Sequence, residues 1–199
     1  MPKLGMEPIR RRQLIEATIA AIQEGGLAEA TVSRIGHRAG LSPGIIHHYF
    51  EDKDALLEAT MRALASDFRL GIVKRVARET APLARLGAVI EGFLAPEQLT
   101  PQTVAAWLAF SALVRSKPRL ARIQRVIVRR LHSNLKHELK RVVPAAEAEQ
   151  IAEGLGTLLD GLWLRAATSP TGPDPASAHR LAFDYLELQL ARSRTNRQV

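Results

Sequence analysis

Apolar residues along this chain recur at spacings of three and four, and the strict alternation typical of β-strands is absent. This pattern predicts an all-α fold of about nine helices. The predicted helices span residues 7–24, 32–39, 43–49, 52–78, 83–94, 101–115, 119–142, 145–168 and 176–193.

Glycine and proline mark most of the predicted boundaries. Gly25 and Gly26 would end the first helix, and prolines precede or follow most of the later ones. We predict an N-terminal DNA-binding domain at residues 1–52, a second helical domain at 53–193 and a polar tail at 194–199.

The segment Thr31–Phe50 reads TVSRIGHRAGLSPGIIHHYF. It contains a capped helix, a glycine-containing turn and a second capped helix, which is the layout of a helix-turn-helix. We expect its apolar residues to hold both helices against the first helix of the chain. These residues are Val32, Ile35, Ala39, Leu41, Ile45, Ile46 and Phe50.

The second short helix would then project polar groups outward, as a helix in a DNA major groove does. Hydroxyls and free amides at helix starts can hold phosphate oxygens, Gly44 permits close backbone approach, and His47 is placed to reach a base edge. The predicted DNA contacts are Thr31, Ser42, Gly44, His47, His48, Tyr49 and Lys53. The pattern alone also allows a helical hairpin with these groups merely at its surface.

Composition adds an excess of positive charge, 28 Lys+Arg against 20 Asp+Glu in 199 residues, or net +8. The charge is unevenly placed: residues 115–141 hold 10 basic residues and 1 acidic one, whereas residues 1–60 hold 7 and 8. The helix-turn-helix segment is therefore slightly acidic. We interpret the basic stretch as a helix face that contacts solvent or acidic residues of a neighbour. Direct DNA contact by this face is the less favoured alternative, and a general attraction to DNA is also compatible with it.

Several classes of protein are excluded or disfavoured. Without cysteine there is no disulfide framework or thiolate metal site, and no apolar run reaches the roughly 18 residues of a membrane span. The sequence lacks HExxH, nucleophile-elbow, P-loop and dinucleotide motifs, and His132 and His137 are poorly spaced to share a helix face. We expect a cytoplasmic, non-enzymatic protein with no cofactor, metal or membrane partner.

The run HHYFEDK, followed by ALL, resembles the N-terminal signature of TetR-family repressors, with the likeness covering about residues 7–60. In that family a short recognition helix ends in Tyr and Phe before the Lys that starts the fourth helix. The resemblance implies a homodimer that binds double-stranded operator DNA, and a small effector that moves the fourth helix.

Other segments resemble the choline-responsive repressors of glycine betaine synthesis genes within that family. They read MPKLGMEPIRRRQLI, GIIHHYFEDK, LLEATMR, AWLAF and DGLWLRAA. Ser111 stands where those repressors tend to carry a second Trp, so the effector is left open. A regulator of a different apolar or cationic ligand, or a helical ligand-binding protein without specific DNA binding, remains an alternative.

Aromatic residues and one carboxylate on the central helices suit a quaternary ammonium ion, which is held by cation–π attraction rather than by hydrogen bonds. The predicted effector-binding residues are Phe93, Trp107, Phe110, Asp160 and Trp163. Aromatic residues at helical spacing are equally typical of an ordinary core.

The last two helices are apolar over more than one face, which favours a four-helix interface between two subunits over packing within one. The predicted interface residues are Leu155, Leu159, Leu162, Leu181, Tyr185 and Leu188.

Overall fold

A computed structural model describes residues 6–169 and 174–196. In these residues the regular structure is entirely helical, which confirms the predicted all-α fold. The helices are α1 Met6–Glu29, α2 Val32–Arg38, α3 Pro43–Tyr49, α4 Lys53–Val76, α5 Pro82–Phe93, α6 Pro101–Leu113, α7 Pro118–Leu139, α8 Ala145–Thr168 and α9 Pro175–Asn196, with a 3-10 turn at Pro96–Gln98. None of the described helices is both long and apolar enough to cross a membrane.

Helix ends differ from the predictions more than helix starts do. α1 does not stop at Gly25 but continues to Glu29 beyond a kink at Gly26, whose φ of 68° is readily adopted by glycine. α9 continues to Asn196, so the whole described part of the predicted tail, residues 194–196, is helical. Residues 197–199 of that tail, and the first five of the N-terminal segment, lie outside the described residues.

The described residues form two compact units. The first contains residues 6–66 and 100–124, and the second contains 67–99, 125–169 and 174–196. The predicted domain boundary after residue 52 coincides with the start of α4, whereas the units divide within α4 and within α7.

The first unit is built around α1, which packs against α2, α3 and α6. The apolar stripe of α1 faces inward, with Leu14 and Ile22 buried, because residues three and four apart share a helix face. Its core also includes Ile35, Ile46, Phe50, Leu56, Met61, Ala106 and Phe110.

The second unit has its own core, in which α9 packs against α5 and α8. Leucine is the most frequent residue of this core, together with Ile, Val, Ala and Phe, and most of the core residues come from α5, α7, α8 and α9. Gly92 of α5 lies against Ile72 of α4, where a Cβ would approach the Ile72 Cα to 3.1 Å.

An ion pair between a half-buried arginine and a buried glutamate connects three helices of this unit. Arg85 of α5 donates to Glu138 of α7 at 2.6 Å. It also donates to the carbonyl of Val76, the last residue of α4, at 3.1 Å and to that of Glu79, just beyond the helix, at 3.2 Å. Although burial opposes ionisation of Glu138, hydrogen bonds from Arg85 and Arg141 hold its pKa below the usual value. The charge is thereby compensated where its desolvation would otherwise be costly.

Candidate functional site

The segment predicted as a helix-turn-helix folds as α2, a four-residue turn and α3. Thr31 caps α2, its hydroxyl accepting from the Arg34 amide at 3.3 Å. Gly40 has a φ of 65°, which reverses the chain and lets the Leu41 amide donate to the Gly36 carbonyl at 2.9 Å. These local features fix α3 across the end of α2.

The face of α3 that packs inward carries Ile46, and Phe50 follows it at the end of the helix; both are buried. Gly44, His47 and His48 are exposed, as predicted. The prediction that Ile45 packs inward was wrong, because 37% of the residue is exposed. Adjacent residues in a helix point about 100° apart, so Ile45 cannot share the buried face of Ile46.

Helix geometry also shows which of the two histidines, His47 or His48, points farther from the buried face of α3. At 3.6 residues per turn, His48 lies about 160° from the buried Ile46 and His47 about 100° from it. His48 therefore points more directly outward than His47, on the same side as Gly44. A Cβ added to Gly44 would meet nothing within 4 Å, so this surface of α3 is open.

Arg11 of α1 holds the C-terminal end of α3. Its guanidinium donates to the Tyr49 carbonyl and lies 4.3 Å from the centre of the Phe50 ring. A cation favours both the exposed carbonyls of a helix end and the face of an aromatic ring. The sequence predictions missed this residue, whose partner is 38 positions away.

The remaining predicted DNA contacts flank α3. Thr31 and Ser42 are exposed, and Ser42 occupies the N-cap position of α3 without a side-chain capping bond. Tyr49 is half-buried, with its ring 5.1 Å from that of His48. At the start of α4, the Lys53 Nζ donates to the Leu27 carbonyl oxygen at 3.5 Å, beside the kinked end of α1.

Three predicted effector-binding residues lie in the second unit. Phe93 is buried in its core and packs edge-to-face against Phe68 at 5.4 Å. Trp163 is half-buried against the same core. Asp160 lies one helical turn before Trp163 and is exposed, yet desolvation by surrounding protein atoms raises the pKa of its carboxyl group.

The other two lie in the first unit, three residues apart on α6. Trp107 is half-buried, whereas Phe110 is fully buried and presents no surface to a ligand in this structure. Ser111 is exposed, and its hydroxyl donates to the Trp107 carbonyl at 2.8 Å. Of this pair, Trp107 alone retains accessible surface.

The predicted subunit interface divides into two groups. Leu155, Leu159 and Leu162 are buried in the core of their own chain, so these three need correcting: they pack within the subunit. Leu181 and Leu188 are 41% and 68% exposed. Tyr185 is half-buried, its ring against Gly154 of α8.

The sequence predictions missed Leu164 of α8, which is 51% exposed near the end of that helix. Apolar periodicity locates such residues but does not distinguish a face covered by the same chain from one left open. Gly161, one turn earlier, is also exposed.

Comparison with known proteins identifies two sequence families in this chain. The profile of bacterial regulatory proteins of the tetR family matches residues 14–60, the segment that contains the helix-turn-helix. The profile of BetI-type transcriptional repressors, C-terminal, matches residues 82–191. The chain belongs to the TetR family, as a BetI-type repressor.

Relatives within this family cover nearly the whole chain. An HTH-type transcriptional regulator, BetI 2, of Chromohalobacter salexigens is 52% identical over 94% of this chain and 91% of its own. A BetI regulator of Ectopseudomonas mendocina is 47% identical, covering 98% and 100%. The protein is accordingly a DNA-binding transcriptional regulator and not an enzyme.

Solved structures show the same TetR fold. A putative transcriptional regulator from Pseudomonas aeruginosa has a TM-score of 0.82 at 28% identity, covering 92% of this chain and 91% of its own. A putative regulator from Saccharomonospora viridis, solved in complex with choline, has a TM-score of 0.75 at 20% identity, covering 90% and 96%. At that identity the second likeness extends to the fold alone.

Proposed function

We propose that this BetI-type repressor responds to choline and controls the synthesis of glycine betaine from choline. In the absence of choline it binds operator DNA through α3, and choline selects a conformation that fits the operator less well. The observation that carries the effector assignment is the position of Asp160, one helical turn before Trp163. The carboxylate of Asp160 is accessible to solvent, but surrounding protein atoms partly desolvate it and raise its pKa. The names of the BetI relatives and the choline complex of a protein with the same fold support this proposal.

The proposed DNA contacts are Thr31, Ser42, Gly44, His47, His48, Tyr49 and Lys53. Their exposed or half-buried positions at α3 and at the helix starts beside it support this assignment. Ile45 joins them, since an exposed apolar side chain on a recognition helix can contact a thymine methyl group.

The DNA contacts are tested by a gel shift with the DNA upstream of the chain's own gene. We expect His47→Ala combined with Tyr49→Phe to weaken sequence-specific binding by about tenfold or more, because each lost contact in an interface of this kind costs about 1–3 kcal/mol. His137→Ala, which removes an exposed histidine from α7, is the control. Unchanged binding by the double variant would remove α3 from the interface.

Choline suits the proposed effector residues because its quaternary ammonium carries a charge but no hydrogen-bond donor on nitrogen. A carboxylate supplies the opposite charge and tryptophan faces supply cation–π attraction. Asp160 and Trp163 of the second unit are the proposed principal contacts, and Phe93 of the same unit contributes aromatic surface. Trp107, which lies in the first unit, is proposed as an effector contact on its own. Phe110 would contribute only if its surroundings opened, since it is fully buried.

Titration calorimetry with choline tests this assignment. We expect binding by the parent, weakened about tenfold or more by Asp160→Asn, because one charge pair in a partly desolvated site is worth about 1–2 kcal/mol. Asp184→Asn, an exposed carboxylate of α9, should bind as the parent does. Trp107→Ala should also weaken choline binding and leave DNA affinity largely intact. No heat and no thermal shift at millimolar choline would end the proposal.

Dimerisation is proposed to use the exposed parts of α8 and α9. These helices pack together within the subunit and leave Leu164, Leu181 and Leu188 uncovered. Exposed leucines on adjoining helices are typical of a surface that a second subunit covers. The half-buried Tyr185 would lie at this interface through its remaining exposed surface.

A second candidate effector is a different apolar or cationic compound. It is favoured by Ser111, an exposed serine where choline-responsive repressors tend to carry Trp. Thermal-shift measurements with larger quaternary ammonium compounds would distinguish the two: stabilisation by these but not by choline would favour the second candidate.

A further inference from the structure

The basic stretch at residues 115–141 plays no part in the proposed function. It holds 10 basic residues and 1 acidic one, and thus accounts for the whole positive excess of a chain with net charge +8. A helix-turn-helix regulator usually gains its sequence-independent affinity from basic groups near the DNA. Here residues 1–60 hold 7 basic and 8 acidic residues, so the segment that contains α3 supplies little of that attraction.

Some of the basic residues in this stretch form ion pairs with acidic side chains, and others do not. Lys117 pairs with Asp54 at 2.6 Å, Arg141 with Glu138 at 2.9 Å, and Lys136 with Glu149. Arg119 lies 3.6 Å from Glu58. These pairs reduce the free positive charge but leave a group of arginines in the middle of α7.

Three of these arginines lie on the exposed side of α7 in the second unit; Arg125 and Arg129 are about 40° apart around the helix axis, and Arg130 is about 100° beyond Arg129. We call Arg125, Arg129 and Arg130 the α7 arginine face. All three are exposed, and none forms an ion pair with any acidic side chain among residues 6–169 and 174–196. Neighbouring positions add two exposed valines, Val126 and Val128, but no acidic residue.

The buried side of α7 anchors this surface. Leu131, Leu135 and Leu139 are buried in the core of the unit. The arginines therefore project from a packed helix, with Arg125 and Arg129 about 6 Å apart along its axis. Such an arrangement loses little backbone entropy when it binds a partner.

Arginine-rich chemistry of this kind fits a repeated phosphate better than other polyanions. A guanidinium forms paired hydrogen bonds with a phosphodiester, and release of condensed counterions from a duplex adds free energy for each phosphate neutralised. The face lacks the Trp, Phe or Leu residues that an interfacial membrane helix inserts into lipid.

We propose that the α7 arginine face is a second contact surface for duplex DNA, which binds the phosphodiester backbone without regard to sequence. The inference rests on the proposed function in one respect, that duplex DNA is a partner. It adds a DNA contact that does not involve α3. The excess charge of the chain would then hold the protein on DNA outside the operator, or on a second duplex segment.

The test uses the full chain and fluorescence anisotropy with a duplex of unrelated sequence, at several salt concentrations. The variant combines Arg125→Gln, Arg129→Gln and Arg130→Gln. Its matched control combines Arg69→Gln, Arg78→Gln and Arg180→Gln, which removes the same charge from exposed positions elsewhere in the unit. Circular dichroism melts verify that both variants fold.

If each arginine neutralises one phosphate, the slope of log K against log salt should fall by about 3 in the variant. Affinity for the unrelated duplex at 100 mM salt should drop at least tenfold, and the control should change both quantities much less. An unchanged slope, or equal changes in variant and control, would overturn the proposal.

Two further outcomes assign the face to another partner and also overturn it. Dissociation of the variant into monomers in sedimentation would place a second copy of the chain on this face. Arginine-dependent binding of polyglutamate with an unchanged DNA slope would indicate an acidic protein. If the parent bound upstream DNA and the unrelated duplex equally well, the proposed function would be wrong. The comparison of salt slopes between variant and control would still test the α7 arginine face.

Discussion

Arg11 illustrates, at the scale of single residues, how the first helix presents the recognition helix α3. Its side chain contacts both the last carbonyl of α3 and the ring of Phe50. Loss of this contact should let the end of α3 move relative to α1 without changing any group proposed to contact DNA. Arg11 is thus a positioning residue.

We expect Arg11→Met to lower the free energy of unfolding by about 1–2 kcal/mol, from one charged hydrogen bond and one cation–π contact. Its affinity for upstream DNA should fall more than its affinity for unrelated DNA. Arg12→Met is the control, because Arg12 is exposed and pairs with Glu16 at a spacing of four, worth about 0.5 kcal/mol. Equal effects of the two variants, measured by denaturant melts and anisotropy, would contradict the positioning role.

Asp160 gives a prediction for pH dependence. Since the folded state raises its pKa, the folded state binds this proton more readily than the unfolded state, and ionisation opposes folding. The contribution of this protonated carboxyl group to the free energy of unfolding is fully present below the pKa of the unfolded state, near 3.8. That contribution is lost as the pH rises through the raised pKa of the folded state. Asp160→Asn should therefore be more stable than the parent at pH 7, by a margin that shrinks toward pH 4.

Choline affinity should show the opposite trend, because only the ionised carboxylate attracts the cation. Calorimetry from pH 7 down to pH 4 should show binding that weakens as Asp160 protonates. The Asp160→Asn variant should bind choline weakly at every pH, and its choline affinity should not depend on pH over this range. A parent whose choline affinity stays constant over this range would exclude Asp160 from the site.

Residue-level predictions succeeded where local pattern was sufficient. Periodicity indicated the burial of Ile35, Ile46 and Phe50, and the Thr31 cap follows from hydroxyl chemistry at a helix start. It gave no signal for Arg11, whose contact depends on chain folding over 38 positions.

At the scale of helices, starts were predicted more closely than ends. Prolines and capping residues mark most starts, since the first turn has amides without helical partners. Ends without glycine have no comparable signal, so α7 ends at Leu139 rather than near Val142. The boundary between the two units inside α4 and α7 has no local marker either, because a continuous helix can belong to two cores.

Packing of α4 against α5 depends on Gly92. A Cβ there would lie 2.8 Å from Ile72 Cγ1 and 3.1 Å from Ile72 Cα, a backbone atom that cannot rotate away. We expect Gly92→Ala to destabilise the protein by about 1–3 kcal/mol through overpacking.

Gly71→Ala is the matched control for Gly92→Ala in thermal melts. A Cβ at Gly71 meets only the end of the Arg75 side chain at 3.5 Å, an ordinary contact. Since alanine is favoured over glycine inside a helix, Gly71→Ala should be neutral or stabilise by about 0.5–1 kcal/mol. A tolerated Gly92→Ala would show that the two helices can separate at little cost.

At the scale of the whole molecule, dimerisation decides how α3 can bind DNA, because helix-turn-helix dimers read paired half-sites about one duplex turn apart. The apolar pattern of α8 and α9 suggested an interface, but much of that pattern fills the subunit core. Sequence periodicity reports that a face avoids water, not which chain covers it. The exposed Leu164, Leu181 and Leu188 are what remains for a partner.

We expect Leu188→Glu to convert the dimer to a monomer in sedimentation velocity, since a charge at the centre of an apolar interface must be desolvated. Operator affinity should fall with it, because two half-sites would no longer be bound by one molecule. Leu83→Glu, at a leucine of α5 that is 43% exposed, is the control. A dimeric Leu188→Glu variant would move the interface elsewhere.

The most direct test of the central claim is the affinity of the full chain for its upstream DNA, measured by anisotropy with and without millimolar choline, beside an unrelated duplex. We expect tight sequence-specific binding that choline weakens at least fivefold, within the range of coupling free energies of about 1–3 kcal/mol. Asp160→Asn should remove this effect of choline. Specific binding unchanged by choline, with the protein shown to be folded and dimeric, would contradict the central claim.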